Sequence, residues 1–123
     1  MTTWKGSDLE QIGAAEELDL QSERADGTLR DPVTMWVVRA GDHVYVRSVK
    51  GPDGPWYRAM QSRHQGRIEA GGVQQEVTFR EADPGEYADV DAAYRDKYGR
   101  YTSIVEHVLT DRARASTLRL ERR

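Results

Sequence analysis

Two runs of β-forming residues, Val33-Thr-Met-Trp-Val-Val38 and Val44-Tyr-Val-Arg-Ser-Val49, stand on either side of Gly41-Asp42. A link that short cannot make the crossover that a parallel pair needs, so the two runs form an antiparallel hairpin. The first run is apolar on both parities, which predicts a strand buried on both faces in the middle of a sheet. A second hairpin is written in Ile68 and Ala70, the turn Gly71-Gly72, and the alternation of Val73, Gln75, Val77 and Phe79. Leu18 and Leu20 alternate with polar neighbours as one further strand, and Leu118 and Leu120 as another. Six or so antiparallel strands in a chain of 123 residues suit a small barrel with helices packed outside. The fold class expected is α+β, mainly antiparallel β, in a single domain spanning 1–123.

The helices announce themselves by a change of period. Ser7-Asp-Leu-Glu10 has the spacing of a capping box, and Leu9, Ile12 and Ala15 share a face behind it, predicting a short helix to about Ala15. Lys50-Gly-Pro-Asp-Gly-Pro55 carries two Pro and two Gly in six residues and cannot continue a strand. Pro55 then opens a helix, at the position where its missing N–H costs nothing, with Trp56 and Met60 on one face up to His64 and Gly66 as the stop. Tyr87, Val90, Tyr94, Tyr98 and Tyr101 recur every three or four residues, one helical stripe ended near Gly99. Ile104, Val105, Val108 and Leu109 continue a second helical face, and Thr110 or Asp111 caps a last turn.

Composition removes several function classes. Cysteine is absent, and with it disulfides, thiol catalysis and thiolate metal sites. No apolar run approaches the ~18–20 residues of a membrane span, and Met1-Thr-Thr-Trp-Lys-Gly-Ser-Asp8 lacks the apolar region of a signal peptide. The expectation is a soluble cytoplasmic protein. A pI of about 5.6 is far from the basic footprint of a nucleic-acid binder. The three histidines, His43, His64 and His107, show no metal-ligand spacing, so no metal site is expected. There is no Gly-x-Ser-x-Gly elbow for nucleophilic hydrolysis. The paired carboxylates Glu16-Glu17 and Asp89/Asp91 sit in polar segments where solvation, not acid–base catalysis, is expected.

Charge is unevenly placed. From Arg39 to Arg67 six basic residues face two acids, a local +4, so the remainder of a chain of net charge −3 carries −7. If the fold gathers these cations, they favour an anionic ligand; as separate solvated positions they favour nothing. The best site candidate is Arg47-Ser48-Val49-Lys50-Gly51-Pro52-Asp53-Gly54-Pro55-Trp56-Tyr57-Arg58. It joins a strand end, a glycine-rich turn and a helix start, whose free N–H groups suit a phosphate. Arg47, Lys50 and Arg58 add charge, and Trp56 offers a flat surface to a ring. The P-loop spacing is absent.

These same residues carry a resemblance. Pro32 to Val38, Asp42-His-Val-Tyr-Val-Arg-Ser48, Gly51…Trp56-Tyr-Arg58 and Gly66-Arg-Ile-Glu-Ala-Gly-Gly72 resemble the flavin-reductase-like split β-barrel. More narrowly, the chain is similar to the small bacterial deazaflavin-dependent nitroreductase relatives, over about Pro32–Gly72. It is also similar to an adjoining domain-of-unknown-function family, there over its whole length, including Asp91-Ala-Ala-Tyr94…Tyr98 and Thr117-Leu-Arg-Leu120. The resemblance implies a split barrel, commonly homodimeric, with FMN or a deazaflavin in a groove near the dimer interface. Arg47, Ser48 and Lys50 fall where the family's strand end and loop handle the cofactor phosphate. Gly51 falls in the glycine turn, and Trp56 and Arg58 in the helix after it. The relatives carry an Asn and a Pro near the end of that helix, where this chain has Ala59, Met60 and His64-Gln65. The implied function is a flavin- or deazaflavin-dependent oxidoreductase acting on a small organic acceptor. The alternatives are a non-catalytic module for a phosphorylated or acidic small molecule, and a dimeric structural domain with a vestigial groove.

Overall fold

The computed structural model describes residues 4–123, so the first three residues used in the signal-peptide reading lie outside the described residues. The chain runs α1 (Gly6–Ala14), β1 (Leu18–Ser22), β2 (Val33–Met35), β3 (Val38–Ala40), β4 (His43–Val46), α2 (Pro55–Met60), β5 (Gln65–Ala70), β6 (Val73–Glu81), α3 (Tyr87–Tyr98), α4 (Thr102–Val105), α5 (Asp111–Arg114) and β7 (Leu118–Arg122). Single 3-10 turns cover Gly51–Asp53, Pro84–Glu86 and Glu106–Val108.

Seven strands form one antiparallel sheet in the order β2-β1-β5-β6-β7-β4-β3. Its two edges, β2 and β3, are consecutive in sequence and separated only by Trp36-Val37. Three peptide steps reach no further than about 10 Å, so the edges must come that close and the sheet must curl into a nearly closed barrel. The barrel is split where Trp36-Val37 steps from one edge to the other. This corrects the expectation of one central strand over Val33–Val38. The run is two edge strands, and Val33, at 37% exposure, faces outward. Both its parities are apolar because the chain changes edge midway and not because both faces are covered.

Residues alternating inward from β1, β4, β5, β6 and β7, among them Leu20, Val44, Ile68, Val77, Phe79 and Leu120, fill the barrel with Ile12, Tyr57 and Met60 from the helices. The Trp4 indole N–H donates to the Leu120 carbonyl at 2.9 Å and anchors the N-terminal segment to β7. A second core lies outside the barrel, where Val90, Tyr94 and Tyr98 of α3 pack with Val105 and Val108 on Val38 and Tyr45 of the β3–β4 hairpin. That hairpin has the expected turn, with Val38 opposite Tyr45 and Ala40 opposite His43. The Ser7–Glu10 capping box does not form: α1 starts two residues earlier than that box would place it, with Lys5 at its N-cap and no side-chain cap. A capping box does form at Asp83–Glu86, ahead of α3. Gly66 is a paired residue of β5, not a helix stop. α2 ends at Met60, and His64 turns the chain with φ of 54°.

The tyrosine stripe holds the split together. The Tyr98 hydroxyl accepts from the Val37 N–H at 3.1 Å, and its one proton has the carbonyls of Glu16 at 2.7 Å and Val37 at 3.0 Å in reach. Lys97 donates to the same Val37 carbonyl at 2.7 Å. Burial raises the Tyr98 pKa to about 12 and lowers that of Lys97 to about 8. Tyr94, one turn earlier, is fully buried, and its hydroxyl has no hydrogen-bond partner. The two phenols therefore respond oppositely to loss of oxygen. Tyr98→Phe strands the buried Val37 N–H and costs about 1–3 kcal/mol, whereas Tyr94→Phe removes an unsatisfied group and leaves the chain at least as stable as wild type. Urea unfolding of both variants checks the ordering, and equal losses would contradict it.

Candidate functional site

The step at Trp36-Val37 and the glycine turn after β4 lie on the same side of the barrel, and a groove of about 410 Å³ opens between them. Trp36 forms one wall. Its ring lies flat on Tyr98, centroids 3.9 Å apart and planes within 4°, and Tyr101 tilts against it at 5.8 Å. Trp56, the second residue of α2, forms another; it is half-buried, packs against the barrel core and meets the Tyr57 ring edge-on at 6.1 Å. Met35, Val49, Ile104 and Val108 complete an apolar lining, with Thr34, Arg47, Ser48 and Lys50 as its polar members. Val33, Val49 and Ile104, the large apolar side chains most exposed among the described residues, all belong to this lining.

The turn that shapes the floor is tightly built. The Ser48 N–H donates to the Ser116 hydroxyl at 2.8 Å, and the Gly51 N–H donates to the Ser48 carbonyl at 2.9 Å. Gly51 has φ of +67° and lies against the backbone of Arg112, which excludes any side chain there. Gly54 has an ordinary extended conformation, and its glycine is required by contact: a Cβ would run into the Ser48 hydroxyl.

Arg47 takes a different place from the one expected. Its side chain is fully buried, and Nη1 donates to Asp91 Oδ1 at 2.6 Å and to the Val108 carbonyl at 2.8 Å. Nε donates to the Thr117 hydroxyl at 2.8 Å, and Nη2 reaches the Tyr87 carbonyl at 3.4 Å. The guanidinium also lies 5.4 Å from the Tyr94 ring centroid. Asp91 gives its other carboxylate oxygen to Arg114, at 2.8 Å from Nη2. An arginine so placed ties the end of β4 to α3, to the Glu106–Val108 turn and to β7, and its donors are directed into the protein. Arg47 contributes to the groove wall as a framework residue and not as a free phosphate ligand.

The structure brings Arg47, Ser48, Lys50 and Trp56 together on the groove, with the Arg47 side chain buried in its wall. It does not bring in Gly51 or Arg58. Gly51 supports the turn from beneath, and Arg58 is exposed, two residues round the helix from Trp56 and outside the lining. The basic segment as a whole does not converge. Arg39, Arg63 and Arg67 pair with Asp42, Glu23 and Glu76, which leaves Lys50 and Arg58 without an ion-pair partner among the described residues. Two site-forming residues were missed. Trp36 was read as part of a strand, and Asp91 as a solvated carboxylate although it is 5% exposed. The signal for Asp91 was present in the spacing 87, 91, 94, 98, which places it in the tyrosine stripe.

A larger and more open depression, about 760 Å³, lies between the β3–β4 hairpin and α3. Part of its polar lining is tied together: Tyr45 donates to Glu86 at 2.6 Å, and Arg119 pairs with Glu86 at 3.2 Å. No helix among the described residues is long and apolar enough to cross a membrane.

A curled antiparallel half-barrel with outer helices and a groove at its split defines a split-barrel protein of the flavin-reductase-like kind. The chain belongs to the family described as "Uncharacterized protein conserved in bacteria (DUF2255)", whose profile matches residues 8–120. No curated protein matches it in sequence. Solved structures of the same fold include an F420-H2 dependent reductase, 19% identical, aligned over 86% of this chain and 93% of that one, with a TM-score of 0.64. A FAD-binding protein (mll6688) from Mesorhizobium loti aligns over 98% of this chain and 89% of its own at 15% identity and a TM-score of 0.59. A domain-swapped dimer aligns over 94% and 92% at 16% identity and a TM-score of 0.63. At these identities the likeness is one of fold.

Removing one member of a buried ion pair leaves the other charge uncompensated, at a cost of about 3–5 kcal/mol. Arg47→Ala and Asp91→Ala are each expected to lose stability on that scale in urea unfolding, and the double variant Arg47→Met/Asp91→Leu to recover most of it. A loss below about 1 kcal/mol in Arg47→Ala would show that Arg47 is not the tie described above.

Proposed function

We propose that the protein is a flavin- or deazaflavin-dependent oxidoreductase for a small organic acceptor, with the ring of the cofactor held in the groove between Trp36 and Trp56. The observation that carries this reading is the groove's construction. It is an apolar slot of about 410 Å³, within the range of cofactor sites, walled by two tryptophans and bearing, among the described residues, one cation without an ion-pair partner, Lys50, near its mouth. That solved structures of the same fold include a reductase and a FAD-binding protein supports it.

When bound, such a cofactor supplies the electron chemistry itself. The chain's part is to bind, orient and exclude water. Trp36 is fixed by its stack on Tyr98, so it presents a rigid face that needs no ordering when a ring arrives. Lys50 attracts an anionic substituent to the mouth of the groove. Val33, Val49 and Ile104 form an apolar rim, and a homodimer that covers this rim would keep bulk water from the ring. Among the described residues no carboxylate or imidazole lines the groove. The same slot would therefore serve a binding module without catalysis, and turnover distinguishes the two.

The test is to titrate the purified protein with FMN and with a deazaflavin, following the ligand's absorption and fluorescence, and then to supply a reductant and a panel of small acceptors. Micromolar binding with a red-shifted, quenched spectrum is expected. Trp56→Ala should weaken binding about tenfold, the equivalent of about 1.4 kcal/mol of lost ring contact. Turnover of any acceptor establishes the enzyme, and binding without turnover the module. No spectral change with either ring would refute the cofactor reading.

A further inference from the structure

We infer that the groove selects its ligand by the ring alone and accepts a flat heteroaromatic whatever the charge of its tail, gripping no phosphate. This rests on the groove being a ring site, as proposed above, and goes beyond it by assigning how the site treats the ligand's charge. The cationic groups that could hold a phosphate are mostly committed elsewhere. Charge-assisted bonds from arginine are the strong way to hold that group, because the guanidinium presents two parallel donors. The arginine at the groove presents no such exposed fork: only Nη2, which reaches the Tyr87 carbonyl at 3.4 Å, is not fully committed, and it has no solvent exposure. The Arg47 side chain has no exposure, and its Nε and both Nη1 donors are committed to Thr117, Asp91 and Val108. Turning it outward would leave Asp91 facing only Arg114 and would unpair the end of β4 from α3.

The remaining sources are equally spent or misplaced. Arg39, Arg63 and Arg67 are ion-paired elsewhere, and Arg58 is outside the lining. The start of α2 offers little: the helix has six residues, its first is Pro55 with no N–H to give, and the Arg58 N–H already bonds the Gly54 carbonyl. The Gly51 and Gly54 amides close the turn internally, on Ser48 and Gly51. Lys50 is what faces the groove, an exposed ammonium on a flexible stem. An exposed ion pair of that kind changes affinity by a few-fold at most. Against it stand two tryptophans, Met35, Val49, Ile104 and Val108, the surface that a ring would cover. Ring contact therefore sets affinity, and a charged tail lies in solvent.

The measurement is quenching of tryptophan fluorescence in the native full-length protein by riboflavin, FMN and FAD, which share a ring and differ in charge. Dissociation constants within about fivefold of one another are expected. Lys50→Ala should abolish that residual spread. FMN or FAD binding more than fiftyfold tighter than riboflavin would overturn the inference, because a built phosphate site would then exist. If none of the three binds, the cofactor reading falls and the treatment of charge is read from a second pair, neutral N-phenyl-1-naphthylamine and singly charged 1-anilinonaphthalene-8-sulfonate. Comparable binding of both sustains ring selection. Binding of the anion alone, or of neither, overturns it.

Discussion

A guanidinium sealed from solvent must find all its partners within the protein, and Arg47 finds them on three different elements. That requirement organises the outer half of the molecule. Asp91 has to sit on the inward face of α3, the Glu106–Val108 turn has to bring the Val108 carbonyl within 2.8 Å, and Thr117 has to precede β7 at the right height. Once these are met, the end of β4 is fixed, and with it the point from which the glycine turn departs. A buried ion pair of this sort is a weak source of net stability compared with apolar packing, but it penalises every arrangement in which one partner is missing. Its effect here is to specify one docking of the helices on the barrel.

The groove follows from that docking and from the split. Trp36 belongs to the two-residue step between the sheet edges, and α3 holds the step through Tyr98 and Lys97. Trp56 belongs to the helix that begins where the turn after β4 ends. Fixing β4 against α3 therefore fixes the two tryptophan walls relative to each other, although neither touches Arg47 through a hydrogen bond. The site is rigid on the Trp36 side and rimmed by exposed apolar groups on the other, a construction suited to a planar ring covered by a second surface. The function proposed rests on that shape, and the indifference to charge proposed rests on where the arginine went.

Much of the architecture was legible because it is written in local pattern. The turns at Gly41-Asp42 and Gly71-Gly72, the alternation from Val73 to Phe79 and the three-to-four spacing from Tyr87 to Tyr98 each dictate an element without reference to the rest of the chain. The errors arose where tertiary context decides. Val33–Val38 reads as a central strand because apolar residues fill both parities, and only the sheet order reveals two edges meeting there. Ser7 and Glu10 have capping-box spacing, but α1 begins before Ser7 and the pattern falls inside the helix. Asp91 looked solvated beside Asp89, and the partner that buries it lies 44 residues away in sequence. The candidate site was legible as a segment, since Ser48, Lys50 and Trp56 do line one groove. It was misread in its electrostatics, because charge clustered along a chain says nothing of which arginine will be buried by an acid from elsewhere.

The three tryptophans allow the central claim to be tested in one spectrum. Trp4 is locked inside the barrel on the Leu120 carbonyl, while Trp36 and Trp56 face the groove. In a ¹⁵N-resolved NMR titration with riboflavin, the indole N–H signals of Trp36 and Trp56 should shift together and saturably, with that of Trp4 and the Arg47 Nε–H unmoved. A ligand that shifts the Arg47 signal while leaving both groove tryptophans in place would contradict the account.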